Sequence, residues 1–235
     1  MNKKILNLAL ASIALAVTSP AEAEEERSEM YKEITRQTFN KKAPEYHQRT
    51  IALRPDDKTS FFLSYLSAQD SILDVGCGSG RDAKYFTEKG FGVTGVDLSE
   101  VMIEVAQENA PQASFVIQDI EEMEFPEQSF NGIWASASLL HIPKNKMKTV
   151  LTDLYSFLKD EGVFFISLKE GEGEALHLDH RYGGLEEFLS FYKEDEIVSF
   201  LEEAGFTIVD QHTYPILNSY QTHPWITIVC QKEKA

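Results

Sequence analysis

The chain has 235 residues, 43% of them hydrophobic, and a formal net charge of −16. That length suits one sizeable domain with a proper core. The charge argues against nucleic-acid binding, which rests on Lys and Arg neutralising phosphates, and against stable association with an anionic membrane surface. It reads as a self-repelling acidic exterior. Cys77 and Cys230 are too few for a disulfide framework or a metal cluster, and no metal is expected.

Residues 1–23 have the three parts of a signal peptide. Lys3 and Lys4 form a basic start, Ile5 to Val17 an apolar run, and Ala21-Glu22-Ala23 a small-x-small end. The run is too short for a comfortable membrane span. The expectation is export to the periplasm or medium, with a cytoplasmic location as the alternative. Residues 24–70 read as an acidic linker followed by helices that cover the domain, among them Asp57 to Ser67. Phe39 and Tyr46 fall in this stretch, either on a lid or as ordinary packing aromatics.

Ile72 to Val75 is a short buried strand, stopped by Gly76, Gly78 and Gly80, after which a helix begins. Strand, glycine turn and helix open a nucleotide-binding α/β sheet. A dinucleotide fingerprint would place Gly or Ala where Arg81 stands. Phe91 to Val96 is a second buried strand ending in Asp97, 17 residues after Gly80 and close to the ~20 expected of a ribose-binding acid. Asp97 could instead cap the next helix, but Ser99 is placed to take that duty. Ala113 to Ile117 is a third strand, followed by Asp119 and Ile120. Phe130 to Ala135 is a fourth, leading to Ser136 and to His141 before Pro143. His141 is the candidate general base, its alternative being a histidine that holds the loop. A helix from Lys144 to Leu158 precedes the fifth strand, Gly162 to Leu168.

From about 170 to 192 the pattern breaks. This cap insertion contains His177, His180, Arg181 and Tyr182, candidates for contact with a substrate. Two histidines three apart are too little for a metal site. A helix from Lys193 to Ala204 and two strands, Phe206 to Asp210 and Trp225 to Cys230, complete the chain.

The glycine turn, Asp74 within the first strand, Asp97 and Asp119 resemble the motifs of the class I S-adenosylmethionine-dependent methyltransferases. The resemblance runs from about Phe39 to the C-terminus. It implies a three-layer, Rossmann-like, doubly wound α/β sheet of seven strands, mostly parallel with the last antiparallel, over residues 71–235. It implies S-adenosyl-L-methionine as cofactor, held by Tyr46, Asp74, Gly76, Cys77, Gly78, Gly80, Asp97, Leu98, Met102, Asp119, Ile120 and Ser136. Leu98 and Met102 would sandwich the adenine, Asp119 would take its amino group, and Phe39 would wall the pocket. The expected activity is methyl transfer to a small-molecule O, N or C acceptor. Its alternatives are transfer to a protein side chain, a non-catalytic exported binding module and an NAD-dependent oxidoreductase. Export conflicts with a cofactor made in the cytosol.

Overall fold

A computed structural model describes residues 19–52, 57–216 and 221–234. Most of the expected leader, residues 1–18, lies outside them. Helix α1 (Pro20–Thr50) runs unbroken where a linker was expected and begins inside the leader-like stretch. It is followed by α2 (Asp57–Leu63), β1 (Ser71–Val75), α3 (Arg81–Glu88), β2 (Gly92–Asp97), α4 (Glu100–Asn109) and β3 (Ser114–Ile117). Then come β4 (Phe130–Ser136), α5 (Lys144–Phe157), β5 (Leu158–Lys169), β6 (Glu174–Asp179), β7 (Leu185–Ser190), α6 (Glu194–Glu203), β8 (Thr207–Tyr214) and β9 (Trp225–Gln231). Among the described residues no helix is long and apolar enough to cross a membrane.

Seven strands form one sheet in the order β3-β2-β1-β4-β5-β9-β8. Strands β1 to β5 pair in parallel, whereas β9 enters between β5 and β8 and runs antiparallel to both. Side chains alternate between the two faces, as the strand period of two requires. Leu73, Ile133, Phe164 and Ile228 point to one face, where Met147 and Leu151 of α5 and Ile197 and Leu201 of α6 cover them. Ile72, Trp134, Phe165 and Val229 point to the other, beneath Phe62 of α2 and Phe86 of α3. Trp134 stacks on Phe165 with ring centroids 3.8 Å apart. Strands covered on both faces are largely apolar, which is why Ile72–Val75 apart from Asp74, and Val163–Leu168 apart from Ser167, are legible as hydrophobic runs.

The break in the pattern after residue 170 corresponds to a second, two-stranded sheet, the antiparallel hairpin β6–β7. Helix α1 lies against it. Thr35 Oγ1 accepts the Phe188 N–H at 2.9 Å, and the Tyr31 and Phe188 rings stack at 4.7 Å. The chain direction reverses its spread between β1 and β4, so a crevice opens at their carboxyl ends.

Candidate active site

A cavity of about 340 Å³ runs along the carboxyl ends of the parallel strands, from the tip of β3 to the tip of β5. Each tip contributes to it: Asp119 and Ile120 after β3, Asp97 and Leu98 at β2, Gly76 and Gly78 after β1, Ser136 to Ser138 at β4, Lys169 at β5. Helix α1 roofs it with Lys32, Thr35, Phe39, Lys42, Tyr46 and Thr50. Their spacing of three or four residues is that of one helical face.

The glycine turn is shaped by close approach. A side chain at Gly76 would set its Cβ 2.3 Å from the Ser138 Cβ, and Gly76 also has φ +68°. Gly80 does not line the cavity. Its φ of +74° starts α3, and a Cβ there would come within 3.0 Å of Ala106 on α4. At the β4 tip, Ala137 adopts φ +56°, an unfavourable conformation for a residue with a Cβ. Its N–H is held by Ser167 Oγ at 2.9 Å.

Asp97 accepts the Gly78 N–H on one oxygen and the Ser99 N–H on the other, each at 2.9 Å. Ser99 Oγ in turn caps α4 by accepting the Met102 N–H at 3.1 Å. Each Asp97 oxygen keeps a lone pair for a further donor. Burial raises its pKa, against the pull of the Ser99 and Gly78 amides. Asp119 receives the Glu121 N–H at 2.9 Å and pairs with Lys32 of the roof at 2.6 Å. Arg81 is clamped by Asp82 through two hydrogen bonds of 2.7 and 2.8 Å, and Asp82 is fixed by the Trp134 indole at 3.1 Å. Burial pushes the Tyr46 phenol up to about 12.

At the β5 end His141 stands edge-on to Phe39, ring centroids 5.0 Å apart. Its Nδ1 lies 2.9 Å from the Phe188 carbonyl, which can only accept, so Nδ1 carries the proton and Nε2 presents a lone pair. Burial lowers its pKa to about 4, so it is neutral at pH 7. Tyr182 and Arg181 also line this end, with Glu187, Lys42 and Trp225.

Several expected site residues stand elsewhere. Asp74 lies beneath the turn, 3% exposed, and burial together with nearby Asp82 raises its pKa. Cys77 is buried against Gly95. Met102 is completely buried on α4, because its helical turn points into the core. Of the pair expected to sandwich a ring, Leu98 lines the cavity and Met102 does not. His177 is on β6 against Phe191 at 5.0 Å, and His180 is exposed in the hairpin turn. Neither lines the cavity, because the hairpin turns only Arg181, Tyr182 and Glu187 inward. Lys42, Arg81, Lys169 and Glu187 were not among the expected site residues. Lys169 alone had a local signal, its place at the carboxyl end of a central strand.

The cavity fits the cofactor that the sequence motifs imply. Its turn excludes a side chain at Gly76, Asp97 offers free acceptor capacity, and a fixed guanidinium stands beside the turn. A family model described as a methyltransferase domain matches residues 72–162. An uncharacterized methyltransferase of Synechocystis is 26% identical over 157 residues, 63% of this chain and 72% of that protein. A ubiquinone biosynthesis O-methyltransferase of Coxiella burnetii is 27% identical over 165 residues, 63% of this chain and 70% of that protein. A solved structure of Burkholderia thailandensis 1,6-didemethyltoxoflavin-N1-methyltransferase, with bound 1,6-didemethyltoxoflavin and S-adenosylhomocysteine, superposes with a TM-score of 0.70. It is 25% identical and covers 88% of this chain and 91% of that one. Residues 72–162 match a methyltransferase domain, and motifs, strand order and cavity all resemble those of the class I S-adenosylmethionine-dependent methyltransferases.

Proposed function

We propose that this enzyme methylates a small-molecule acceptor bound in the cavity against Phe39 and His141. The observation that carries the reading is the His141 ring, fixed by the Phe188 carbonyl at 2.9 Å with its Nε2 lone pair available to an acceptor's O–H or N–H. The roof formed by α1 and the β6–β7 hairpin favours a small acceptor over a protein side chain, which would have to thread beneath it. The O-methyltransferase of Coxiella and the toxoflavin N1-methyltransferase of Burkholderia support a small molecule as well.

In this reading Asp97 accepts both ribose hydroxyls, and Leu98 and Ile120 bracket the adenine. Asp119 accepts from the adenine amino group. The backbone at Gly76, Gly78 and Ser136 borders the methionine moiety, with Tyr46 as its cover and Arg81 facing its carboxylate. S-Adenosylmethionine, when bound, supplies a methyl group already activated on a sulfonium. The protein has to align the acceptor, exclude water and take the acceptor's proton in hydrogen-bond reach. Phe39 and Tyr46 exclude water, and His141 Nε2 receives the hydrogen bond that aims the acceptor. With a pKa of about 4, His141 serves orientation more than strong general-base catalysis.

Isothermal titration of the full chain with S-adenosylhomocysteine and with NAD tests the cofactor side, and only the first should bind. Transfer of labelled methyl to components of a metabolite extract tests the acceptor side. Label found on protein alone would overturn the small-molecule reading. Residues 1–23 support export, and amino-terminal sequencing of the protein from fractionated cells would test it.

A further inference from the structure

Four charged side chains line the cavity at the β5 end, Lys42, Lys169, Arg181 and Glu187, and Asp179 stands behind them. Lys42 lies 2.6 Å from Glu187 and 3.7 Å from Asp179, and Asp179 also holds Arg181 through two contacts of 2.9 Å. Both carboxylates are thereby committed. Lys169 remains, with no hydrogen-bond or ion-pair partner for its ammonium among the described residues. It is the last residue of β5, registered against Trp225 on β9, and its carbonyl accepts the Tyr192 N–H at 3.2 Å. Its backbone is therefore held while its side chain lines the cavity beside Glu187 and Trp225.

A sheltered ammonium whose neighbouring carboxylates are already paired with other cations is costly. Burial, with Arg181 and Lys42 nearby, makes its proton easier to lose despite Glu187 and Asp179. An anion brought by a ligand would remove that cost. The anion cannot be the group facing His141, because the Nε2 lone pair there would repel it.

We propose that the acceptor carries an anionic group, carboxylate-like, separate from the atom that is methylated, and that Lys169 is the residue that binds it. This rests on the reading of the cavity as a small-molecule acceptor site, and adds a charge to the acceptor's description. Lys169 is thus a specificity residue: it selects acidic acceptors over neutral ones of the same shape.

The test uses 4-hydroxybenzoate and its neutral counterpart 4-hydroxybenzamide, titrated into the full chain saturated with S-adenosylhomocysteine. The acid should bind at least about tenfold more tightly. Lys169→Met should bring the two probes to within about twofold, Lys169→Arg should keep the preference, and both variants should bind S-adenosylhomocysteine like the native chain. Equal affinities in the native chain, no binding of 4-hydroxybenzoate, or a preference that survives Lys169→Met would overturn the proposal. Failure of the native chain to bind S-adenosylhomocysteine is a distinct result, which overturns the cofactor reading beneath it.

Discussion

The ammonium of Lys42 on α1 lies 2.6 Å from the carboxylate of Glu187 on β7, and both side chains are almost completely buried. Lys42 also sits 3.9 Å above the centre of the Phe39 ring. One ion pair therefore joins the two elements that roof the cavity.

Removing one partner strands the other's charge in the interior. Lys42→Met should cost about 3–5 kcal/mol of stability, and the double change Lys42→Met with Glu187→Leu should recover most of it. Urea unfolding of the single and double variants measures both. A single variant as stable as the native chain would mean that water reaches the pair.

Asp97→Ala removes the carboxylate that both faces the cavity and holds the glycine turn through Gly78. Hydrogen bonds to a charged group contribute about 1.5–3 kcal/mol each, so the loss of one or two predicts S-adenosylhomocysteine binding weaker by roughly 10- to 10⁴-fold. Calorimetric titration reads this directly, and unchanged affinity would remove Asp97 from the site.

Protonating His141 blocks the Nε2 lone pair. Its pKa is lowered to about 4, so kcat/KM should stay level through neutral pH and fall as the pH drops towards 4. The same displacement has a sign for stability. The unfolded chain binds this proton near the ordinary value of about 6.5, so acidification from there to about 4 progressively disfavours the fold. An inflection of the rate profile close to 6.5 would show an imidazole titrating as if in water. His141→Gln should lower kcat by roughly 10²-fold, the low end for a positioned proton acceptor.

Gly76→Ala meets two obstacles, the 2.3 Å approach to the Ser138 Cβ and a backbone at φ +68°. Backbone strain alone predicts a loss of about 1–3 kcal/mol, and Ser138→Gly should relieve the collision but not the strain. Thermal unfolding of the three variants separates the two contributions.

Much of this architecture was legible because its signals are local. Ile72 to Val75 is buried on both faces and cut short by glycine, and Asp97 announces itself by its distance from Gly80. The continuity of α1 was hidden for a physical reason. The face it turns to the cavity mixes Lys32, Thr35, Phe39, Lys42 and Tyr46, so no apolar stripe marks its period. Glu187 could not be paired with Lys42 in advance, because 145 residues separate them and only the docking of the hairpin on α1 joins them. Met102 failed as a cavity residue because four positions beyond Leu98 the chain has entered a helix whose inward face belongs to the core.

Helix α1 is tied down along its length, by Lys32 to Asp119, Arg36 to Glu100, Asn40 to Ser99 and Lys42 to Glu187. The two extremities of the cavity, near Asp119 and near Glu187, thus share a single cover, so loosening any one of these four clasps would slacken the lid over both.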